Sequence, residues 1–185
     1  MQDKVIIGMN KKGLIRFAMI AILILLNIGC DQKTKQIAKD KLNPHEVSTY
    51  FFDTFKLVYA ENEGAFLSAG SDLDGTWHLI LLKVLPIIML SLLLLYTIFS
   101  KSINIYQTVA LSFILGGGIS NIIDRLNYGK VIDFMNMGIG NLRTGIFNFA
   151  DLSIMLGIGI FIIANYKKTK SEQLAEEQKK LETSD

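Results

Sequence analysis

Four long apolar runs, separated by shorter polar stretches, set the plan of this chain. They cover 14–29, 77–99, 105 to about 123, and about 149–166, each dense in Leu, Ile, Val or Phe. A hydrocarbon core of ~30 Å takes a helix of about 20 apolar residues, so the pattern predicts four membrane-spanning helices. The first run is marginal in length. Arg16 enters it with a side chain long enough to snorkel, and helical character continues through Asp31 to Lys41 until Asn43-Pro44 breaks it. Pro86 predicts a kink in the second span, which membrane helices tolerate, and Lys83 near its start can snorkel.

The intervening stretches differ. Residues 47–70 are rich in β-branched and aromatic residues, and Phe55, Leu57 and Tyr59 alternate with Lys56, Val58 and Ala60, a strand signal. A turn follows at ENEGAF, with Asn62 able to bond the backbone and Gly64 free to take positive φ. The loop continues past Asp72 and Asp74 to Trp77, an aromatic suited to the membrane interface. Between the third and fourth spans the chain reads as a short, turn-rich connection. Lys167 onward is a charged tail, read as a fraying amphipathic helix or disorder. The domain plan is one membrane-embedded unit over residues 1–166 with a tail at 167–185.

Composition narrows the classes. Half of the 185 residues are hydrophobic, and a net charge of +2 with no basic-aromatic surface gives no support for a nucleic-acid partner. The single cysteine, Cys30, excludes an intrachain disulfide and a cysteine zinc site; His45 and His78 have no metal-ligand spacing. NIGC at 27–30 also resembles the end of a lipoprotein signal peptide. A retained helix is the stronger reading, because three spans follow and Asn27 stands where such sites carry an aliphatic residue. Four spans put both termini on one side. Ten Lys and Arg fall on that side and eight on the other, where most of the acids lie, which places the termini in the cytoplasm.

The chemistry concentrates between Gly116 and Asp151. Ionisable groups at membrane depth are costly and mark functional sites. Gly117, Asn121, Asp124 and Arg125 share one helical stripe, and the glycines at 116–118 allow close approach by a neighbour. Asp124 beside Arg125 reads as an ion pair closing the span. Asp133 and Asp151 lack a cation three or four residues away and could meet if the third and fourth spans are antiparallel neighbours. Two close carboxylates resist joint ionisation, so one can hold a proton while the other acts as a base. Such a pair can activate water against a peptide carbonyl. Blander readings compete: Asn148 and Asp151 resemble a helix capping box, and Asp133 could be a loop carboxylate facing water. Asp31 and Lys35, four apart, favour a solvated pair at the membrane border. An ion- or proton-coupled transporter is a second functional reading of the carboxylates, and a lipoprotein processed at Cys30 a third.

Taken in order, DQKTK at 31–35, NEGAF at 62–66, GGGISNIIDRL at 116–126, VIDF at 131–134 and FNFAD at 147–151 resemble the bacterial lipoprotein signal peptidases. The resemblance runs from about Leu14 to Tyr166 and leaves out the tail. It implies a membrane aspartyl protease, a four-helix α-helical membrane protein with a small extracytoplasmic β-cradle. It implies Asp133 and Asp151 as the catalytic pair. Asn62, Gly64, Asn121, Asp124, Arg125, Asn148, Asp31 and Lys35 fall on the family's other motif positions, which outweighs the solvated reading of Asp31 and Lys35. The implied substrates are diacylglyceryl-modified prolipoproteins, cut just before the lipidated cysteine by a monomer in the inner membrane, with lipid around it and no metal or cofactor. Ser120 stands where the family usually carries glycine, a change expected to restrict helix approach slightly. The asparagines are expected to hold substrate backbone or orient the carboxylates, and the β segment with the loop after Gly64, punctuated by Gly70 and Gly75, to form a lid.

Overall fold

A computed structural model of the chain describes residues 11–65, 69–70 and 73–182. Helix α1 (Lys11–Lys41) is followed by strands β1 (Val47–Tyr50) and β2 (Phe55–Asn62). The second span is built from α2 (Gly75–Leu79), a π-helical turn (Ile80–Val84) and α3 (Leu85–Phe99). Then come α4 (Ile105–Tyr128), β3 (Val131–Ile139), β4 (Leu142–Arg143) and α5 (Phe149–Glu182). Four helical stretches are long and apolar enough to cross a membrane. The loop part of the expected lid falls partly on residues 66–68 and 71–72, outside the described residues.

Helix α4 is the central one, with over half of its apolar window buried. The outer helices leave Leu25, Met89 and Ile162 largely exposed, as a lipid-facing surface requires. The glycine triplet explains how three helices reach α4 at once. A Cβ on Gly116 would strike Asn27 of α1, one on Gly117 the carbonyl of Ala150 in α5, and one on Gly118 the side chain of Leu90 in α3. Successive helical positions diverge by about 100°, so three consecutive glycines admit three different neighbours. Below them Ile20, Ile24 and Leu115 form the buried apolar core.

This contact gives a stability prediction. Gly117→Ala forces the α5 backbone away and is expected to cost about 1–3 kcal/mol. Gly159→Ala, where a Cβ meets nothing within 4 Å, is expected to be neutral or to stabilise by up to ~1 kcal/mol through helix propensity. Melting temperatures in detergent test the contrast, and equal values for the two variants would dismiss the close-approach account.

Helix α1 runs unbroken through Cys30 to Lys41, as expected. Several other sequence expectations need correction. Arg16 does not snorkel: it donates to the carbonyls of Thr97 at 2.6 Å and Ser100 at 2.7 Å, satisfying the end of α3. Pro86 is accommodated by the π-helical turn just before it, since proline cannot donate to the carbonyl four residues back. The residues after α4 are not merely a turn-rich connection. Gly129 ends that helix with φ 76°, and the chain then enters strand β3. The tail is helical rather than disordered over the described part, because α5 continues to Glu182.

The four strands form one antiparallel sheet in the order β1-β2-β3-β4. Leu57 pairs with Met135 but Ala60 with Asp133, so β2 carries an extra residue that breaks the predicted alternation. Both faces of β3 are buried through Phe134. Its even positions face outward from the site: Phe134 joins Leu57, Ile37 and Ala38 around an apolar groove beside α1. Its odd positions, Val131 and Asp133, face the site.

Candidate active site

Two structural features bring Asp133 and Asp151 to one cavity. Asp133 sits in the middle of the sheet, 3% exposed, which overturns its reading as a solvated loop carboxylate. The segment before α5 pairs back onto the same strand, with Phe147 exchanging backbone hydrogen bonds with Met135 at 2.8 Å. That pairing sets Asn148 over Asp133 and starts α5 there. Asp151 follows on its first turn.

The capping box foreseen at Asn148 exists, and it orients the site. The Asn148 Oδ1 accepts from the Asp151 backbone N–H at 3.0 Å, and Asp151 Oδ2 accepts from the Asn148 N–H at 3.1 Å. The Asn148 amide Nδ2 is left to donate to Asp133 Oδ1 at 2.7 Å and to Asn121 Oδ1 at 3.2 Å. Asn121 donates from its own Nδ2 to Asp151 Oδ1 at 2.9 Å. The two carboxylates are thus tied together by two amides in series. Asn62 adds a donor to Asp133 Oδ2 at 3.0 Å. It reaches diagonally across the sheet, since its own partner in register is Val131.

The second half of Asn62 shapes the turn, because its Oδ1 accepts from the Gly64 N–H at 3.0 Å. The positive φ allowed for at Gly64 occurs instead at Gly70, at 82°. Gly64 contributes its carbonyl, which accepts from the Arg125 guanidinium at 2.8 Å. Asn62, Ala65, Asn121, Arg125, Asp133 and Asp151 line a cavity of about 270 Å³. Val131, Ile146, Ile154 and Met155 make up its apolar part.

The expected Asp124–Arg125 ion pair is not formed. Adjacent residues on a helix point about 100° apart, so Arg125 turns into the cavity and Asp124 turns toward α1. The partner of Asp124 is Lys35, at 2.8 Å, and Lys35 also meets Asp31 at 2.6 Å. Asp31 is fully buried and Lys35 is 2% exposed, which overturns the solvated-pair reading. Asp31 also accepts from the backbone N–H of Ala150 at 2.7 Å, satisfying one of the free N–H groups at the start of α5. Lys35 donates to Asn121 Oδ1 at 2.9 Å, leaving the Asn121 amide nitrogen free to face Asp151. The charged cluster therefore holds one bridging amide and one end of the helix that carries Asp151.

Burial lifts Asp133 well above the ordinary carboxylate range, to about 6. The Asn62 donor pulls the other way, the neighbouring Asp151 charge adds to the rise, and the Asn148 donor opposes it. Asp133 therefore binds its proton unusually firmly.

Sequence reasoning missed several supporting residues. Gln32 donates to Asp124 at 2.7 Å and to the Ser120 hydroxyl at 3.0 Å. Ser120, expected to restrict packing, instead donates to Asp31 at 2.7 Å and is fully buried. Asn27 accepts from the Ser153 hydroxyl. Its signal was available: Asn27, Asp31 and Lys35 recur every four residues and continue the buried stripe of Ile20 and Ile24.

Comparison with known proteins identifies the family. A family model described as signal peptidase (SPase) II matches residues 22–167. A lipoprotein signal peptidase of Borrelia turicatae is 34% identical over 175 residues, covering 90% of this chain and 99% of that one. Another, of Chlorobium phaeobacteroides, is 38% identical over 158 residues, covering 80% and 92%. A solved bacterial membrane enzyme, determined by the in meso method at 2.3 Å resolution, superposes with a TM-score of 0.72 at 27% identity, over 83% of this chain and 91% of its own. The matched residues run from within α1 into α5 and include all four strands and the whole of the Asp133–Asp151 cavity, so this chain belongs to the signal peptidase II family.

Proposed function

We propose that this protein is a membrane aspartyl endopeptidase that removes signal peptides from diacylglyceryl-modified prolipoproteins, cutting just before the lipidated cysteine. The observation that carries the reading is the pair of carboxylates on one cavity, bridged through Asn121 and Asn148. Residues 1–166 would be the peptidase unit and 167–185 an appendage, in a protein that works as a monomer. The termini would lie in the cytoplasm and the cavity near the outer face of the inner membrane.

The environments of the two aspartates support different roles for them. Asp133, whose hold on a proton is strengthened by burial, serves as the acid. Asp151 lies on the first turn of α5, accepts from the Asn148 N–H, and serves as the base. Asp151 takes a proton from water as its oxygen attacks the scissile carbonyl. Asp133 gives its proton toward the carbonyl oxygen, and proton return to the nitrogen releases the amine. Arg125 fixes the Gly64 carbonyl, and with it the turn at the rim of the cavity. Ile154 and Met155 offer an apolar wall to the lipid-bearing end of the substrate.

The test is cleavage by the purified protein in detergent, with products identified by mass. The diacylglyceryl precursor is expected to be cut at the bond before the modified cysteine and its unlipidated counterpart much more slowly. Equal cutting of both, or cutting elsewhere, would overturn the substrate assignment. The same assay reads pH. The working form has Asp133 neutral, so kcat/KM is expected to fall as pH rises through about 6. Asn62→Ala removes a donor that favours the carboxylate form, so the limb is expected to move to higher pH. An unmoved or lowered limb would contradict the acid role of Asp133. Folding follows the same sign: stability from the proton on Asp133 is complete below the ordinary carboxylate range and is lost as pH rises through about 6.

A further inference from the structure

A cavity of about 480 Å³ opens between the start of α4 and the later turns of α5. It lies some fifteen to twenty residues of α4 away from Asn121 and Asp124, about 22–30 Å along the axis. Its wall on α5 is one helical stripe, since Ile160, Ile163 with Ala164, Lys167 with Lys168, and Ser171 recur three or four residues apart. The character of that stripe changes along its length. Two turns are apolar, and the next carries two cations.

Lys168 is engaged only loosely, donating to the Ser102 carbonyl at 3.3 Å with the Glu172 carboxylate 4.0 Å away. Lys167 is exposed and has no hydrogen-bond or ion-pair partner among the described residues. The facing wall is preformed. The capping box of Asn104 and Gln107 fixes the start of α4, and Gln107 donates to Asn165 of α5 at 2.5 Å. Tyr106 stands exposed at the rim, where an amphipathic ring suits the headgroup level.

The geometry points to a binding site for one anionic phospholipid at this end of the bundle. An acyl chain lies along Ile160 and Ile163, and the phosphate sits between Lys167 and Lys168. The charge selects the ligand: a zwitterionic lipid could cover the same apolar floor but would leave the lysine pair without net compensation. Basic pockets between membrane helices are suited to anionic headgroups for this reason. The site is independent of the peptide-cleaving reading, since none of its residues touches the Asp133–Asp151 cavity.

The test is native mass spectrometry of the full chain released from vesicles of equal phosphatidylglycerol and phosphatidylcholine. Wild-type protein is expected to retain one phosphatidylglycerol, with a preference on the order of tenfold from two lysines at the surface. The double variant Lys167→Gln/Lys168→Gln is expected to lose that preference, while Lys39→Gln/Lys41→Gln, at the other end, keeps it. Glycerol phosphate in tenfold excess is expected to leave the lipid bound, because it cannot use the apolar floor. Equal retention of both lipids, an unchanged preference in the Lys167/Lys168 variant, displacement by glycerol phosphate, or a second copy of the chain in place of the lipid would each overturn the proposal.

Discussion

Asp133→Asn and Asp151→Asn are each expected to lower cleavage of a diacylglyceryl precursor by at least ~10², the contribution of acid–base catalysis alone. A carboxamide keeps the size of the side chain and one acceptor oxygen but can neither hold nor take the proton. The amide bridge through Asn121 and Asn148 makes the two losses non-additive, because each aspartate works only with the other positioned. The double variant is therefore expected to be little worse than either single one. Folding provides the control. Asp151→Asn also weakens the capping box at the head of α5 and is expected to destabilise by about 1 kcal/mol, far too little to explain the loss. Cleavage at near wild-type rate by either variant would remove the dyad from the mechanism.

The second large effect concerns stability. Lys35→Met leaves Asp31 and Asp124 facing each other's surroundings without the cation that both contact. Breaking a buried ionic cluster by removing one partner costs about 3–5 kcal/mol, so a marked drop in melting temperature is expected. Neutralising the two acids as well, in Lys35→Met/Asp31→Asn/Asp124→Asn, is expected to restore much of that stability, because no uncompensated charge remains. Activity should stay low in the triple variant, since Asn121 has lost the donor that orients its amide. A melting temperature unchanged by Lys35→Met would mean that the cluster contributes nothing to the fold.

The helices were legible in the sequence because each is a long apolar run, and length alone separates such runs from strands. Strand β3 was not. VIDFMNMGI is short, carries an aspartate at its third position, and pairs with a strand about seventy residues upstream. Local pattern cannot report a partner that distant. Asp133 and Asp151 could be singled out as carboxylates without cations, but the amides that contact them come from α4, β2 and the α5 cap. That convergence is a property of the packing. The mistaken Asp124–Arg125 pair has the opposite cause. Neighbours in sequence invite pairing, yet on a helix they point apart, and each found its partner more than sixty residues away. Conversely, the stripe of Asn27, Asp31 and Lys35 was visible as periodicity, and its burial follows from the same rule that buries Ile20 and Ile24.

The glycine triplet at 116–118 and the polar groups at 121 and 124 together give α4 a reading frame. The triplet fixes how the helix is turned against its three neighbours. Asn121 and Asp124 reach Asp151 and Lys35 only at that rotation. Inserting or deleting one residue between Gly118 and Asn121 would turn one half against the other by about 100°. Close packing and the polar contacts could then not both be met. A substitution in this stretch disturbs one contact at a time, whereas a change of length disturbs them all together.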